Sequence, residues 1–182
     1  MAVDTFVAYA GVYPDLESAE ADYAAIKELF STENMVDAYD AAIVQRRPDG
    51  KVKIAKKHET PTRVGGVLGA GVGLATGLVV VLFPFAAIGG GLLAATTAGG
   101  AVLGAVAGHA AAGMSRGDLK ELGEQLDAGQ AGLVVVAVAD MGSRVEAAMK
   151  RAEKVTAKDL QVSREDLEKD AKEASDAAGS SS

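Results

Sequence analysis

A stretch of 52 residues without a formal charge, residues 64–115, constrains this chain more than any other feature. Glycine recurs at every fourth position within it, in two ladders: Gly65, Gly69, Gly73 and Gly77, then Gly100, Gly104 and Gly108. A four-residue repeat places such glycines on one face of a helix, where two backbones can approach closely. Because each glycine costs a helix about 1 kcal/mol relative to alanine, soluble helices seldom contain so many. The pattern predicts a tightly packed helical hairpin over residues 64–113, with these glycines as its helix-packing and oligomerisation surface.

The two halves of this apolar block are each long enough to cross a bilayer. Residues 64–83 would form a helix of about 30 Å, the thickness of a hydrocarbon core, and residues 88–112 offer a second span. The turn between them, Phe83-Pro84-Phe85, is apolar. Such a turn suits a tip buried in the bilayer and equally a tip buried inside protein. The block is therefore a membrane-spanning hairpin, a re-entrant one, or the buried hairpin of a soluble assembly.

The segment before the block is basic. Residues 41–63 contain seven Lys and Arg against two acids, whereas residues 1–40 contain nine acids and one lysine. Basic residues beside a membrane segment favour the cytoplasmic side. Each one near an anionic membrane surface adds about 1 kcal/mol to the binding free energy. We expect a lipid-facing basic flank that consists of Lys51, Lys53, Lys56, Lys57 and Arg63.

The remaining sequence predicts a small α+β domain. Strand-forming residues concentrate at 6–13, 41–45, 51–57 and 133–138, the last as a buried central strand, and turn residues occupy 47–50. A first helix is predicted after the N-cap candidate Asp15. Its apolar stripe comprises Leu16, Ala19, Tyr23, Ile26 and Phe30, and its outward positions are predicted to be Glu20, Asp22, Lys27 and Glu28. Ser115 and Asp118 resemble a capping box that starts another helix, ending near residue 129.

These elements follow the order β-α-β-β-α-β. That is the ferredoxin-like order, in which two helices cover one face of a four-stranded antiparallel sheet. The predicted domains are a discontinuous ferredoxin-like domain at 1–63 and 114–140, the glycine-zipper hairpin inserted at 64–113, and a C-terminal extension at 141–182. In the extension we expect a helix from 143 to about 155, then a solvated helical tail that frays at its end.

Composition excludes several kinds of chemistry. The absence of cysteine rules out disulfides, thiolate catalysis and cysteine-bound metals. A net charge of -7, without a basic-aromatic stripe, argues against nucleic-acid binding. No nucleophile, base and oxyanion site can be assembled, so we expect no enzyme, no cofactor and no metal site. His109, the one titratable side chain of the block, is a candidate ion or proton site, or simply reaches the interface from the helix end.

Two runs carry a family resemblance. The segment GMSRGDLKELG at 113–123, followed by LDAGQAGLVVV at 126–136, resembles a family of predicted bacterial membrane proteins catalogued as domain of unknown function 1269. YDAAIV at 39–44, DGKV at 49–52 and the glycine-rich block fit the same pattern. The resemblance covers residues 5–140 and leaves the extension outside. It implies a bacterial membrane-associated protein, without an activity, a substrate or a catalytic residue.

The leading functional hypothesis is a non-enzymatic, self-associating module anchored in the bacterial inner membrane, with its globular domain in the cytoplasm. Its partners would be further copies of itself and anionic lipid, and not nucleic acid. One alternative is a soluble, cytoplasmic homo-oligomeric particle that pools its apolar hairpins. Another is an oligomeric pore lined by His109 or by Thr76, Thr96 and Thr97. The N-terminus lacks the pattern of a secretory signal, which predicts a cytoplasmic start.

Overall fold

The computed structural model describes residues 5–35, 39–58, 79, 115–127, 130–163 and 169. Within these residues the fold is α+β, with five antiparallel strands and three α-helices. The strands are β1 (Thr5–Tyr13), β2 (Tyr39–Arg46), β3 (Val52–His58), β4 (Ala131–Val138) and β5 (Lys154–Ser163). The helices are α1 (Leu16–Thr32), α2 (Arg116–Asp127) and α3 (Gly142–Ala148). The predicted hairpin at 64–113 lies outside the described residues, apart from Val79.

The five strands form one sheet in the order β3-β2-β4-β1-β5. Neighbouring strands are antiparallel throughout. Strand β4, as predicted, is a central strand, and all eight of its residues are buried. Helix α1 connects β1 to β2, and β4 lies between these two strands. Helix α3 connects β4 to β5, and β1 lies between those two. The sheet therefore contains two interlocked β-α-β units, each with a strand of the other unit inside it.

Local signals in the sequence place the helix starts and the hairpin turn. Asp15 caps α1, since its Oδ1 accepts a hydrogen bond of 2.7 Å from the backbone N–H of Ser18. Ser115 and Asp118 form the predicted capping box: Ser115 Oγ accepts from the Asp118 N–H at 3.1 Å, and Asp118 Oδ2 accepts from the Ser115 N–H at 3.3 Å. Gly50 has a φ of 79° in the turn between β2 and β3. Capping and turn chemistry are local, which is why the sequence predicted them.

The helices lie on opposite faces of the sheet. Gly11 and Leu133 are register partners, so they share a face, and a Cβ at Gly11 would lie 2.6 Å from Met149 at the end of α3. Gly132 points the other way, and a Cβ there would lie 2.6 Å from Leu126 of α2. Helices α1 and α3 pack on each other on the first face. We call these the α1–α3 face and the α2 face.

Two predictions about the second half of the chain are wrong. The helix at 116–127 does not share a face with α1; α3 occupies that place. In the extension, the helix predicted from 143 to about 155 is present as α3 but ends at Ala148. The helical tail is wrong, because residues 154–163 form β5, which pairs with β1 from Val12↔Lys154 to Thr5↔Ser163. Residues 154–163 are rich in charge and alternate only weakly, so their strand conformation depends on the open edge of β1 rather than on their own pattern.

Candidate functional site

A buried polar cluster joins α1 to the loop between α3 and β5. Asp22 of α1 is fully buried, and three donors satisfy its carboxylate. The Tyr13 hydroxyl donates to Oδ2 at 3.2 Å, the backbone N–H of Arg151 donates to the same oxygen at 2.7 Å, and Arg151 Nη1 donates to Oδ1 at 3.1 Å. A buried charge that is paired and fully hydrogen-bonded rigidifies the elements that it joins. This cluster therefore ties α1, β1 and the α3–β5 loop together.

The position of Asp22 corrects the sequence analysis, which predicted that this side chain points outward. The buried residues of α1 are Ala19, Asp22, Ile26 and Phe30. Position 22 follows residue 19 by three and precedes residue 26 by four, so it lies on the apolar stripe itself. An acid at a stripe position is the signal that could have revealed it, since buried carboxylates need partners.

The buried tyrosines on this face remain neutral at physiological pH. Burial, then the carboxylate of Asp22, raises the pKa of Tyr13 well above its usual range. Burial, with smaller contributions from Glu146 and Asp159, raises the pKa of Tyr9 to about 12. General acid–base catalysis favours a pKa near the working pH. Tyr9 and Tyr13 are therefore suited to packing and positioning rather than to proton transfer.

A shallow groove between α1 and α3 lies beside this cluster. Its volume is about 520 Å³, and its lining consists of Ala25, Leu29, Arg144, Ala147, Ala148, Lys150 and Arg151. Two of its cations are already paired: Arg144 Nη1 lies 2.9 Å from Glu33 Oε1, and Arg151 is bound to Asp22. The floor is apolar and open to solvent, without convergent polar groups, so the groove lacks the features of an enclosed small-molecule site. The groove arises where two helices meet, so the sequence pattern of neither helix predicts it.

A second charged cluster fastens α2 to β5. Lys158 Nζ lies 3.0 Å from Asp118 Oδ1 and 2.8 Å from Glu121 Oε2. Gln125 Nε2 donates to the backbone oxygen of Lys154 at 3.2 Å. The Ser115 hydroxyl, and then the Lys158 ammonium, hold the pKa of the Asp118 carboxyl below its ordinary value. Glu121 and Asp118 raise the pKa of Lys158 in turn. Ser115 and Lys158 stabilise the charged form of Asp118, and Glu121 and Asp118 stabilise that of Lys158, which fits a structural fastening.

The predicted basic flank is divided between different surfaces. Lys51 and Lys53 are exposed at the β3 edge. The β2–β3 register shifts between Ile43 and Val44, and this bulge puts Lys56 opposite Ile43. Lys56 Nζ consequently reaches α1, where it lies 3.1 Å from Glu20 Oε2.

Most other predicted site residues lie outside the described part of the chain. Lys57 is described only through its backbone position in β3, opposite Ala42. The two glycine ladders, Arg63 and His109 are all outside the described ranges. Among the described residues, no group of His, Asp or Glu side chains could hold a metal ion. No helix within those same ranges is long and apolar enough to cross a bilayer.

The family assignment comes from a region that begins within the apolar block and ends in the C-terminal extension. A family described as a protein of unknown function, DUF1269, matches residues 66–172. The chain belongs to DUF1269. The family region includes α2, β4, α3 and β5, so it extends beyond residue 140, where the predicted resemblance ended, and it begins later than residue 5. No curated protein and no solved structure matches this DUF1269 chain.

Proposed function

We propose that this DUF1269 protein is a non-enzymatic, self-associating module whose apolar block packs helix against helix through its glycine ladders. The observation that supports this most is the position of Val79. Val79 is fully buried and belongs to the hydrophobic core cluster of the sheet domain. At about 100° per residue, position 79 lies about 200° around a helix from Gly77. A helix that turns Val79 into the domain therefore turns the nearest ladder glycines, Gly77 and Gly73, away from the domain, where they can face another helix.

The domain that carries the block has, in this proposal, ferredoxin-like connectivity with reassigned elements. The six elements are β1, α1, β2, β4, α3 and β5, which give two interlocked β-α-β units. Strand β3, the block and α2 then form one insertion between β2 and β4. The sheet order and the antiparallel pairing support this assignment.

Leucine substitutions in the ladders test self-association. Gly73→Leu and Gly104→Leu should separate the packed backbones, because glycine interfaces depend on close van der Waals approach. We expect the concentration for half-dissociation to rise about tenfold for a loss of about 1.4 kcal/mol, measured by sedimentation. Val72→Leu and Ala105→Leu, one position off each ladder, are the matched controls. An assembly of unchanged size and affinity in both ladder variants would refute the proposal.

Membrane anchoring is the second part of the proposal, with the block in the bacterial inner membrane and the sheet domain in the cytoplasm. The exposed Lys51 and Lys53, just before the block, favour this location because they suit an anionic leaflet. A soluble cytoplasmic particle is the competing location, and the burial of Val79 in the domain core favours it. Carbonate washing of membranes separates the two. Retention in the pellet supports the anchor, whereas release as large detergent-free particles supports the soluble form. The pore hypothesis depends on His109 and three threonines outside the described residues, and no described contact favours it.

A further inference from the structure

The α2 face of the sheet is also buried on the side of β2, where α2 does not pack. Ala42 and Val44 of β2, with Val134 and Val136 of β4, are all at most 2% exposed, and we call these four residues the β2–β4 surface. The register places them on the α2 face, since Ala42 pairs with Val134 and Val44 pairs with Gly132. Among the described elements, α2 packs on β1, β4 and β5, and the helix that packs on β2 is α1, on the other face. Ala42 and Val44, the β2 half of this surface, therefore need a cover other than these helices.

The path of the chain brings the apolar block to this surface. Register partners form one row across the sheet: His58, Ala41, Val135, Tyr9 and Ala157. The block leaves the sheet after His58, at one end of that row. It returns at α2, whose first turn is fastened to Lys158, next to the other end of the row. Four strand spacings separate the two ends, about 19 Å.

Val79 is the one described residue of the predicted hairpin at 64–113, and its burial links the block to the domain. It lies about a third of the way along this connection and is 0% exposed, within the hydrophobic cluster that contains Ala42, Val134 and Val136 as well as residues of the α1–α3 face. A valine in a bilayer-spanning helix would have lipid or another spanning helix as its neighbour. Membership of the domain's core cluster places it against the protein instead.

We infer that the first half of the apolar block docks, through the side that carries Val79, on the β2–β4 surface of its own chain. The contact is apolar on both sides, and burial of apolar area drives it at about 25 cal/mol per Å². It removes an aliphatic patch that a monomer would otherwise expose in the middle of its sheet. The docking requires neither lipid nor a second chain, so it does not depend on self-association. It excludes a bilayer-spanning first half of the block and thereby favours the soluble location over the membrane anchor.

The absence of cysteine allows a direct test on the full-length protein, without lipid. Val134→Cys places a unique thiol on the β2–β4 surface with little change in volume, and Val136→Cys is a second variant should the first not fold. Lys53→Cys supplies an exposed control on the edge strand β3. We expect maleimide to react with the thiol at position 134 about 100-fold more slowly than with the thiol at position 53, since reaction requires local opening. Equal rates in the folded protein would overturn the inference.

A double variant identifies the occupant. In Val79→Cys/Val134→Cys we expect a short bifunctional maleimide to join the two thiols within one chain, so the product keeps the mass of a monomer. A product of twice that mass would show that the block of a second copy covers the surface, and the inference would be wrong. The outcome is independent of self-association: a monomeric protein with an intrachain link would remove the proposed function and leave the docking intact. A normal assembly with a freely reactive thiol at position 134 would remove the docking and leave the proposed function intact.

Discussion

Asp22 is the residue on which the contact between α1 and the α3–β5 loop depends. Asp22→Ala leaves the Tyr13 hydroxyl and the Arg151 backbone N–H without their acceptor. Unsatisfied buried groups cost about 1–3 kcal/mol each, although the half-exposed Arg151 guanidinium can turn to water, so we expect a loss of about 2–3 kcal/mol in the free energy of unfolding. Urea denaturation measures it. Glu28→Ala, an exposed acid on the same helix, should change it by less than about 0.5 kcal/mol. Similar losses in both variants would contradict a special role for Asp22.

Asp118 gives the α2–β5 fastening a defined pH dependence. Its folded pKa lies below the ordinary value of 3.8, because Ser115 and Lys158 stabilise the carboxylate. Its contribution to stability is therefore complete above pH 3.8 and disappears as the pH falls through the folded value. Asp118→Asn should lower Tm at pH 6, and the difference from the unmodified protein should shrink between pH 4 and pH 2. Thermal scans over this range check it, with Asp140→Asn, at an exposed position, as the control. A difference that stays constant with pH would show that the fastening does not depend on this charge.

At the scale of elements, β5 is the main departure from the predicted organisation. It completes the edge beside β1, and its Leu160 is 1% exposed. Leu160→Ala should therefore cost about 2–4 kcal/mol, the range for truncating a core leucine. A leucine in a solvated tail would cost almost nothing. Chemical denaturation distinguishes the two, and the exposed neighbour Ala157→Ser serves as control. An unchanged denaturation midpoint for Leu160→Ala would mean that residues 154–163 belong to the solvated tail predicted from the sequence.

At the scale of the whole molecule, the basic flank should set affinity for anionic surfaces. Changing Lys51, Lys53, Lys56, Lys57 and Arg63 to glutamine should weaken binding to anionic vesicles more at low salt than at high salt. Exposed charges are screened over about 10 Å at 0.1 M, which explains the salt dependence. Lys56→Gln alone should have less effect than Lys53→Gln, because Lys56 is paired with Glu20. Vesicle flotation at two salt concentrations measures both effects.

A charge-matched variant keeps this prediction specific to the flank. It carries glutamine at five exposed cations elsewhere on the domain: Lys27, Arg116, Lys120, Lys150 and Lys154. It has the same net charge as the flank variant, so a general electrostatic attraction would weaken equally in both. If the two variants bind anionic vesicles alike, the lysines of β3 are only a solvated strand edge.

Features set by neighbouring residues were predictable, and those set by distant partners were not. The Asp15 cap, the Ser115–Asp118 capping box and the Gly50 turn depend on residues within three positions. Six of the eight buried residues of β4, at 133–138, form the continuous apolar run from which a central strand was predicted. The stripe position of Asp22 could have indicated its burial. Its partners, Tyr13 and Arg151, could not be predicted, because they come from a strand and a loop that only the fold brings to it. The α1–α3 groove was missed for the same reason, since neither helix forms it alone.

The sequence by itself determined the α+β class, the strand and helix starts near local signals, and a long uncharged block placed between charged elements. Each follows from short-range physics: hydrophobic periodicity, capping, turn chemistry and the spacing of charges. Tertiary structure decided which strand lies beside which, which helix covers which face, and that residues 154–163 form an edge strand. Pairing along a sheet edge and burial of a face depend on surfaces supplied by residues far apart in the chain. The weakly patterned segment after Glu153 therefore took its conformation from β1 rather than from itself.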